Sequence, residues 1–388
     1  MLSLISPRDP HKTLRNISRY ILGIAIVFSL AGDIAGKAFP RRKTGSCYNR
    51  DMNVSELGES GLISRISEIA NNRRNESAPV CKNLILGIGD DAAAWYGDNS
   101  IQLATVDALR QGVHFDLETT GWHDLGWKSL AVNLSDIAAM GGLPRYALVS
   151  LALPADTDAE GVFALYRGMT ELARKFDVAI VGGDIDRCPL VEVSVTVFGS
   201  TRNREQPLLT RAGAKAGDKI AVTGHVGAAA GGMKMLSNHL MFDRQIADSL
   251  RTAFLRPLPR VTEGQILVDC GVRAAIDISD GLLADLNHIC QASHVSARIE
   301  AERVPLSPDI KASFGNQALE MALSGGEDYE LLFTASPETI QRVKAAASCP
   351  ISIIGDVVAD GNGEVRVLDI DGRVVHTART GWEHFTSN

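Results

Sequence analysis

The sequence predicts a mixed α/β (α+β) protein of two domains. Three observations carry this. The chain has 388 residues, more than one hydrophobic core usually serves. Strand-like apolar runs alternate with segments of helical apolar spacing over most of its length. A Gly/Ala/charge-rich connector, NREQPLLTRAGAKAGD (203–218), separates a half with long strands from a second α/β half. The expected division is an extension at 1–51, a first domain at 52–205 and a second at 206–388.

Taken in order, Leu57, Leu62, Ile63, Ile66, Ile69 and Ala70 recur at helical spacing and predict a helix over 53–70, and the polar NNRRNESAPVCKN (71–83) predicts a loop. A short strand leads into NLILGIGDDAAAW (83–95), which sets Asp90 and Asp91 side by side without a neighbouring Lys or Arg. IQLATVDAL (101–109) is a strand presenting Asp107, and DLGWKSLAVNLSDIAAM (124–140) is a long helix stopped by GGLP. A strand at 145–154, a helix at 157–176, a strand in VAIVGGD (178–184) and an alternating strand at 190–200 complete the first half; strands this long could line a barrel-like sheet. The second half predicts strands at 219–223, 273–278 and 351–358, helices at 225–238, 262–270 and 280–292, and an ordered segment around 318–334.

Composition narrows the function. A formal charge of −7 is no nucleic-acid footprint, and it is unevenly spread: residues 1–50 carry +7 and the remaining 338 carry −14. An acidic body that handles an anionic substrate needs metal ions or aimed backbone N–H groups. Six scattered cysteines, Cys47, Cys81, Cys188, Cys270, Cys290 and Cys349, show no CxxC or Cys/His spacing and read as buried thiols of a reducing compartment. YILGIAIVFSLAG (20–32) is 13 uncharged residues, too short to span a bilayer. Its basic flank imitates a signal peptide; a membrane-touching tail, a nonessential extension and a true start at Met52 are the other readings.

The acids gather at element ends: Asp90 and Asp91, Asp107, Asp184, Asp277 and Asp280, with Asp136 on an apolar helix face. A buried carboxylate needs a partner, which for Asp136 is either a hydrogen bond such as one with Asn133 or a divalent cation. Carboxylates together with phosphate oxygens are the usual surroundings of Mg²⁺. Three glycine segments, VGGDIDR (181–187), VTGHVGAAAGGM (222–233) and LSGGEDYELLF (323–333), could let backbone approach phosphate, or could be turns. None is a Walker A loop or a dinucleotide fingerprint. Arg211 offers a forked cation, and His114 is either a substrate contact or a half-buried structural histidine. No Ser/His/Asp set stands out.

Read together, LGIGDDAAAW, TVDALRQGVHF, WKSLAVNLSDIAAMGGLPRYALVSLALP, VGGDIDRCP, LTRAGAKAGD, VTGHVGAAAGGM, RPLPRVTEGQ, AIDISDGLLADLNHI, ALSGGEDYELLFT and GWEHF resemble the thiamine-monophosphate kinase family. That family belongs with aminoimidazole ribonucleotide synthetase, selenophosphate synthetase and the hydrogenase-maturation dehydratase. The resemblance covers about 53–385 and leaves out 1–51. It implies a two-domain PurM-like fold, a homodimer whose N-terminal domains share a barrel-like sheet, and ATP between the domains. It implies ATP-dependent phosphorylation of thiamine monophosphate to thiamine diphosphate with several Mg²⁺ ions, in the cytoplasm, with no nucleic acid and no stable membrane association.

By the same resemblance, Asp90, Asp91, Thr105, Asp107, Asp136, Asp184, Asp277 and Asp280 would hold metal. Gly183, Asp184, Arg211 and Ser279 would meet ATP. His114, Glu327 and Trp382 would meet the substrate. Asp107, Asp184, Asp280 and Arg211 would be the catalytic set. Two positions depart from the family pattern: Val106 stands where a hydroxyl is usual, and Ile185 with Asp186 replace two threonines. Altered ATP packing is the expected result. The rivals are a sister enzyme and a non-catalytic nucleotide-binding scaffold. The dehydratase would require a C-terminal cysteine where this sequence reads HFTSN, and a scaffold would have lost carboxylates that are all present.

Overall fold

A computed structural model of the chain describes residues 52–71, 79–88, 92–359 and 363–382. The expectations for 1–51 and for Asp90 and Asp91 fall outside these. The elements of the first half are α1 (Val54–Asn71), α2 (Pro79–Lys82), β1 (Leu84–Leu86), β2 (Ala94–Trp95), β3 (Gln102–Arg110), α3 (Trp122–Ala139), β4 (Leu143–Leu153), α4 (Ala159–Lys175), β5 (Ala179–Arg187) and β6 (Glu192–Ser200). α2 falls at the end of the polar segment, where the sequence predicts only loop.

Four strands form one sheet in the order β3–β6–β4–β5, with only the β4–β5 pair parallel. Period-2 alternation in β6 turns Val193, Val195 and Val197 fully inward, against α3 and α4. α1 adds Leu62 and Ile66 to that core. α4 starts where the Asp158 side chain accepts the Glu160 N–H and ends on Arg174 and Lys175, the charge order its dipole favours. On the sheet's other face β1 and β2 pair as a short ribbon, and Trp95 packs 4.7 Å from the Tyr146 ring and 5.5 Å from Phe198.

The second half contains β7 (Lys219–Thr223), α5 (Ala228–Ser237), α6 (Arg244–Leu255), α7 (Val261–Asp269), β8 (Ala274–Asp277), α8 (Leu282–Ser293), β9 (Ser296–Glu300), α9 (Pro308–Phe314), α10 (Ala318–Ser324), β10 (Leu331–Ala335), α11 (Pro337–Ala346), β11 (Ile351–Val358) and β12 (Val365–Leu368). Six strands run β12–β9–β11–β7–β10–β8, antiparallel apart from β12 on β9. The sequence does not announce α6, β9, α9, α11 or β12. α6 buries only Leu250, Phe254 and Leu255, a stripe too narrow to dominate a polar segment. Cys270 and Cys290 are buried as expected, whereas Cys81, Cys188 and Cys349 are only half-buried.

One helix belongs to both halves. α3 packs on the first sheet and also against α7 and β8 of the second, so it is buried nearly all round, including Lys128, Ser129, Asn133 and Ser135. Trp127 fixes it there by donating its Nε1–H to the Pro257 carbonyl at 2.8 Å. Among the described residues no helix is long and apolar enough to cross a membrane.

α3 and α4 meet through glycine. A Cβ on Gly126 would lie 1.8 Å from the Leu165 carbonyl oxygen, and one on Gly168 would lie 1.9 Å from that of His123. Gly126→Ala therefore forces the helices apart and should cost about 2–3 kcal/mol, as overpacking does. Gly97→Ala, which meets nothing within 4 Å, should leave the urea unfolding midpoint close to that of the native chain.

Candidate active site

The acids that converge do so on α3. Thr105 and Asp107 come from β3, Ser135 and Asp136 from the C-terminal part of α3, Asp277 from the end of β8, and Ser279 and Asp280 from the turn that follows. The Thr105 hydroxyl donates to Asp136 Oδ2 at 2.5 Å, and the Ser135 hydroxyl donates to Asp277 Oδ2 at 2.6 Å. Asn133 instead donates to the Ser129 carbonyl within its own helix, so it is not the Asp136 partner that the sequence allowed.

Burial and mutual repulsion make these carboxyls hard to ionise. Asp107 is pushed up to about 6, first by the crowding of protein around its carboxyl and then by Asp136 and Asp280, although the residue as a whole is exposed. Asp136 and Asp277 are both raised, chiefly by burial, and Asp277 is raised further by Asp136. The Thr105 hydrogen bond and the Arg211 guanidinium partly relieve Asp136. Arg211 is thus within electrostatic reach of the cluster, on a backbone whose carbonyl accepts from Ser293 Oγ at 2.8 Å.

Two turns build the adjoining wall. The Ile278 N–H donates to the Glu330 carbonyl, while Glu327 and Tyr329 donate their N–H groups to the carbonyls of Ser279 and Ile278. Gly326, at φ 68°, permits this: a Cβ there would lie 2.5 Å from the Ser279 carbonyl oxygen. Trp382 joins them by donating its N–H to the Asp280 carbonyl at 3.0 Å, and the residue stays 42% exposed beside the turn. The Tyr329 phenol is buried beneath, raised by burial and by Glu327, Asp107, Asp277 and Asp136. Glu327 therefore shares the field of the acid cluster.

Three site features carry no clear mark in the sequence. Asp285 on α8 accepts the N–H groups of Ser279, Asp280 and Gly281 through a single oxygen at 3.0, 3.1 and 3.1 Å. Asp328 accepts those of Gly227 and Ala229 at 2.7 and 3.2 Å. Of the glycine segments that look ready for phosphate, that at 222–233 has the Gly227 and Ala229 N–H groups occupied by the chain's own Asp328. Lys128, fully buried on α3, lies 2.8 Å from Glu327. For Asp285 the one available signal is the run DGLLAD (280–285), which sets a second acid one helical turn past the first glycine. Asp280, Asp285 and His288 also present ligand atoms within 4.8 Å of one another.

Other expected residues stand apart. His114 accepts the Arg110 N–H on Nδ1 at 3.1 Å. Gly183 lies in register with Val149, Val195 and Asp107 across the sheet, three strands or roughly 14 Å from Asp107 at the usual strand spacing. Asp184 follows it at the β5 edge, exposed, so one chain does not bring it to the cluster through its own sheet. Of the departures, Ile185 packs against the first core and Val106 is 60% exposed, while Thr105 supplies the hydroxyl that Asp136 uses.

Residues 89–201 match the N-terminal domain of AIR synthase related proteins, and 215–368 match the C-terminal domain. Thiamine-monophosphate kinase of Bacillus subtilis (strain 168) is 38% identical over 313 residues, 77% of this chain and 93% of the relative. That of Escherichia coli (strain K12) is 38% identical over 339 residues, 85% and 99% respectively. Among solved structures, thiamine-monophosphate kinase from Stenotrophomonas maltophilia K279a is similar with a TM-score of 0.70 and 38% identity, covering 81% of this chain and 96% of that one. AaThiL complexed with AMPPCP and TMP is similar with a TM-score of 0.67 and 33% identity, covering 86% and 99%.

The raised carboxyls set a pH dependence. Asp107 at about 6, with Asp285 and Asp328 at about 7, hold protons in the folded chain that the unfolded chain releases near pH 4. Their contribution to stability is therefore complete below about pH 4 and is lost as pH rises through about 7. Thermal unfolding without divalent cation should show stability falling between about pH 4 and 7, and Mg²⁺ should stabilise more at the upper end. Equal Mg²⁺ stabilisation at both ends would count against the cluster.

Proposed function

The chain belongs to the thiamine-monophosphate kinase family, and from that premise we propose that the carboxylates gathered on α3 are its phosphoryl-transfer centre. The reaction is ATP-dependent: the γ-phosphoryl group of ATP moves onto the phosphate of thiamine monophosphate, giving thiamine diphosphate and ADP. The observation that carries the site assignment is the convergence of Asp107, Asp136, Asp277 and Asp280 from both halves, the first three with carboxyls raised chiefly by burial.

Such a donor set fits Mg²⁺, a hard cation that takes carboxylate, hydroxyl and phosphate oxygens. Asp107, Asp136, Asp277 and Asp280 would hold it, with Thr105, Asp184, Asp90 and Asp91 as the further ligands the family pattern suggests. Bound there, the metal supplies positive charge where two anions must meet. The chain's own residues do the remaining work. Arg211 adds a fixed cation for the nucleotide phosphates, assisted by Gly183, Asp184 and Ser279. The acceptor phosphate is already nucleophilic near neutral pH, so no side chain has to act as a strong base. His114, Glu327 and the partly exposed Trp382 serve the organic part of the substrate, the indole offering a flat apolar face to a heterocycle.

We take 52–205 and 206–388 as the two domains, which the family matches on either side of residue 206 support. ATP as co-substrate supports a cytoplasmic setting. The four-stranded sheet reads as half of a barrel completed by a second copy. Its edges β3 and β5, and the exposed Val106 on it, support a homodimer.

Incubation with Mg²⁺, ATP and thiamine monophosphate should yield thiamine diphosphate. Asp107→Asn and Asp184→Asn should each lower turnover by about a hundredfold or more with the unfolding midpoint retained; native turnover in both would remove the metal centre. Sedimentation should give twice the chain mass, and a single-chain mass would overturn the shared barrel.

A further inference from the structure

Lys128 is a buried cation that the phosphoryl-transfer chemistry leaves unused. It is 1% exposed, on the second turn of α3. Its Nζ lies 2.8 Å from Glu327 Oε1 and 3.7 Å from the centre of the Phe254 ring on α6. Among the described residues it makes no properly oriented hydrogen bond. An ammonium group so far from water is costly unless an anion faces it, and Glu327 is that anion. The Phe254 face adds a weaker electrostatic contact.

Glu327 is unusual from its own side. Its backbone sits at φ 62°, a conformation that side chains rarely adopt, and its N–H is tied to the Ser279 carbonyl at 2.8 Å. One carboxylate oxygen meets Lys128, and the side chain remains 23% exposed. Glu327 is thus held at both ends, by the turn through its backbone and by α3 through Oε1.

We propose that Lys128 is a positioning residue for substrate recognition: it fixes Glu327 as an oriented hydrogen-bond acceptor for an N–H donor on the substrate. This rests on the reading that Glu327 meets the organic part of thiamine monophosphate. The ion pair is neutral as a whole, so Glu327 is poorly suited to act as a trap for the positive thiazolium ring. It is well suited to select a directed donor, which the aminopyrimidine ring carries. Because the pair joins α3 of the first half to the 325–330 turn of the second, it also sets the acceptor's place relative to Asp136 on the same helix.

The two roles predict opposite signs. If Glu327 is an oriented acceptor, Lys128→Met raises KM for thiamine monophosphate about tenfold and leaves KM for ATP within about twofold. If Glu327 is a charge trap, the same substitution frees its charge and lowers that KM, which overturns the proposal. In the Glu327→Gln background, Lys128→Met should add nothing further, since it acts through Glu327; additive effects overturn it. Lys128→Arg, which keeps the charge and guards against a misfolded methionine variant, should stay within about threefold of native KM for thiamine monophosphate; a rise of about tenfold there overturns it. Native KM values for Glu327→Gln itself would instead refute the substrate reading, separately from the role of Lys128.

Discussion

Negative charge held out of water, with too little positive charge from the chain to balance it, is the constraint on which this structure turns. Asp107, Asp136 and Asp277 are all made harder to ionise by burial, and Asp136 raises each of the other two further. Hydroxyls from Thr105 and Ser135 satisfy one oxygen each on Asp136 and Asp277 but bring no charge. Arg211 relieves Asp136 from an exposed position. A fold that keeps such a group together at neutral pH without a counter-ion loses stability, so the arrangement makes sense as a receptor for cations.

The same constraint explains what the backbone does not do. Helix N-termini and glycine turns commonly receive phosphate through their free N–H groups. Here Asp285 takes three N–H groups at the start of α8, and Asp328 takes two at the start of α5. These internal carboxyls fix the turns that carry Ser279, Asp280 and Glu327, and in doing so they close those N–H groups to an external phosphate. On the proposed function, phosphate recognition would then fall to metal and to Arg211.

Much of this is legible in the sequence, for identifiable reasons. β6 alternates with period 2 and α3 is apolar over much of its length, so both are visible, and the acids at strand ends mark the site. α6, β9, α9, α11 and β12 are not visible, because their burial depends on neighbours far away in sequence. α9 and α11 do begin with Pro after a Ser, Ser307 and Ser336, a helix-start signal that hydrophobic periodicity alone passes over. The plugs Asp285 and Asp328 are hidden for another reason: an acid that accepts backbone N–H groups looks like any acid until the turn is folded. Asp184 shows the converse. Its motif groups it with the other candidate ligands, whereas the sheet keeps it at the opposite edge from β3.

Val106 and Ile185 show why a missing hydroxyl is a weak argument until strand direction is known. Adjacent residues in a strand face opposite ways, so Thr105 and Val106 have different neighbours. Thr105 bonds Asp136 on the helix side, and Val106 is exposed on the other side; the hydroxyl absent from Val106 would not have reached Asp136. Ile185 packs into the first core, where a threonine would bury a hydroxyl in need of a partner. Ile185 therefore falls where an apolar side chain meets the demands of packing and Val106 on an exposed face, and neither removes a group from the acids that α3 collects.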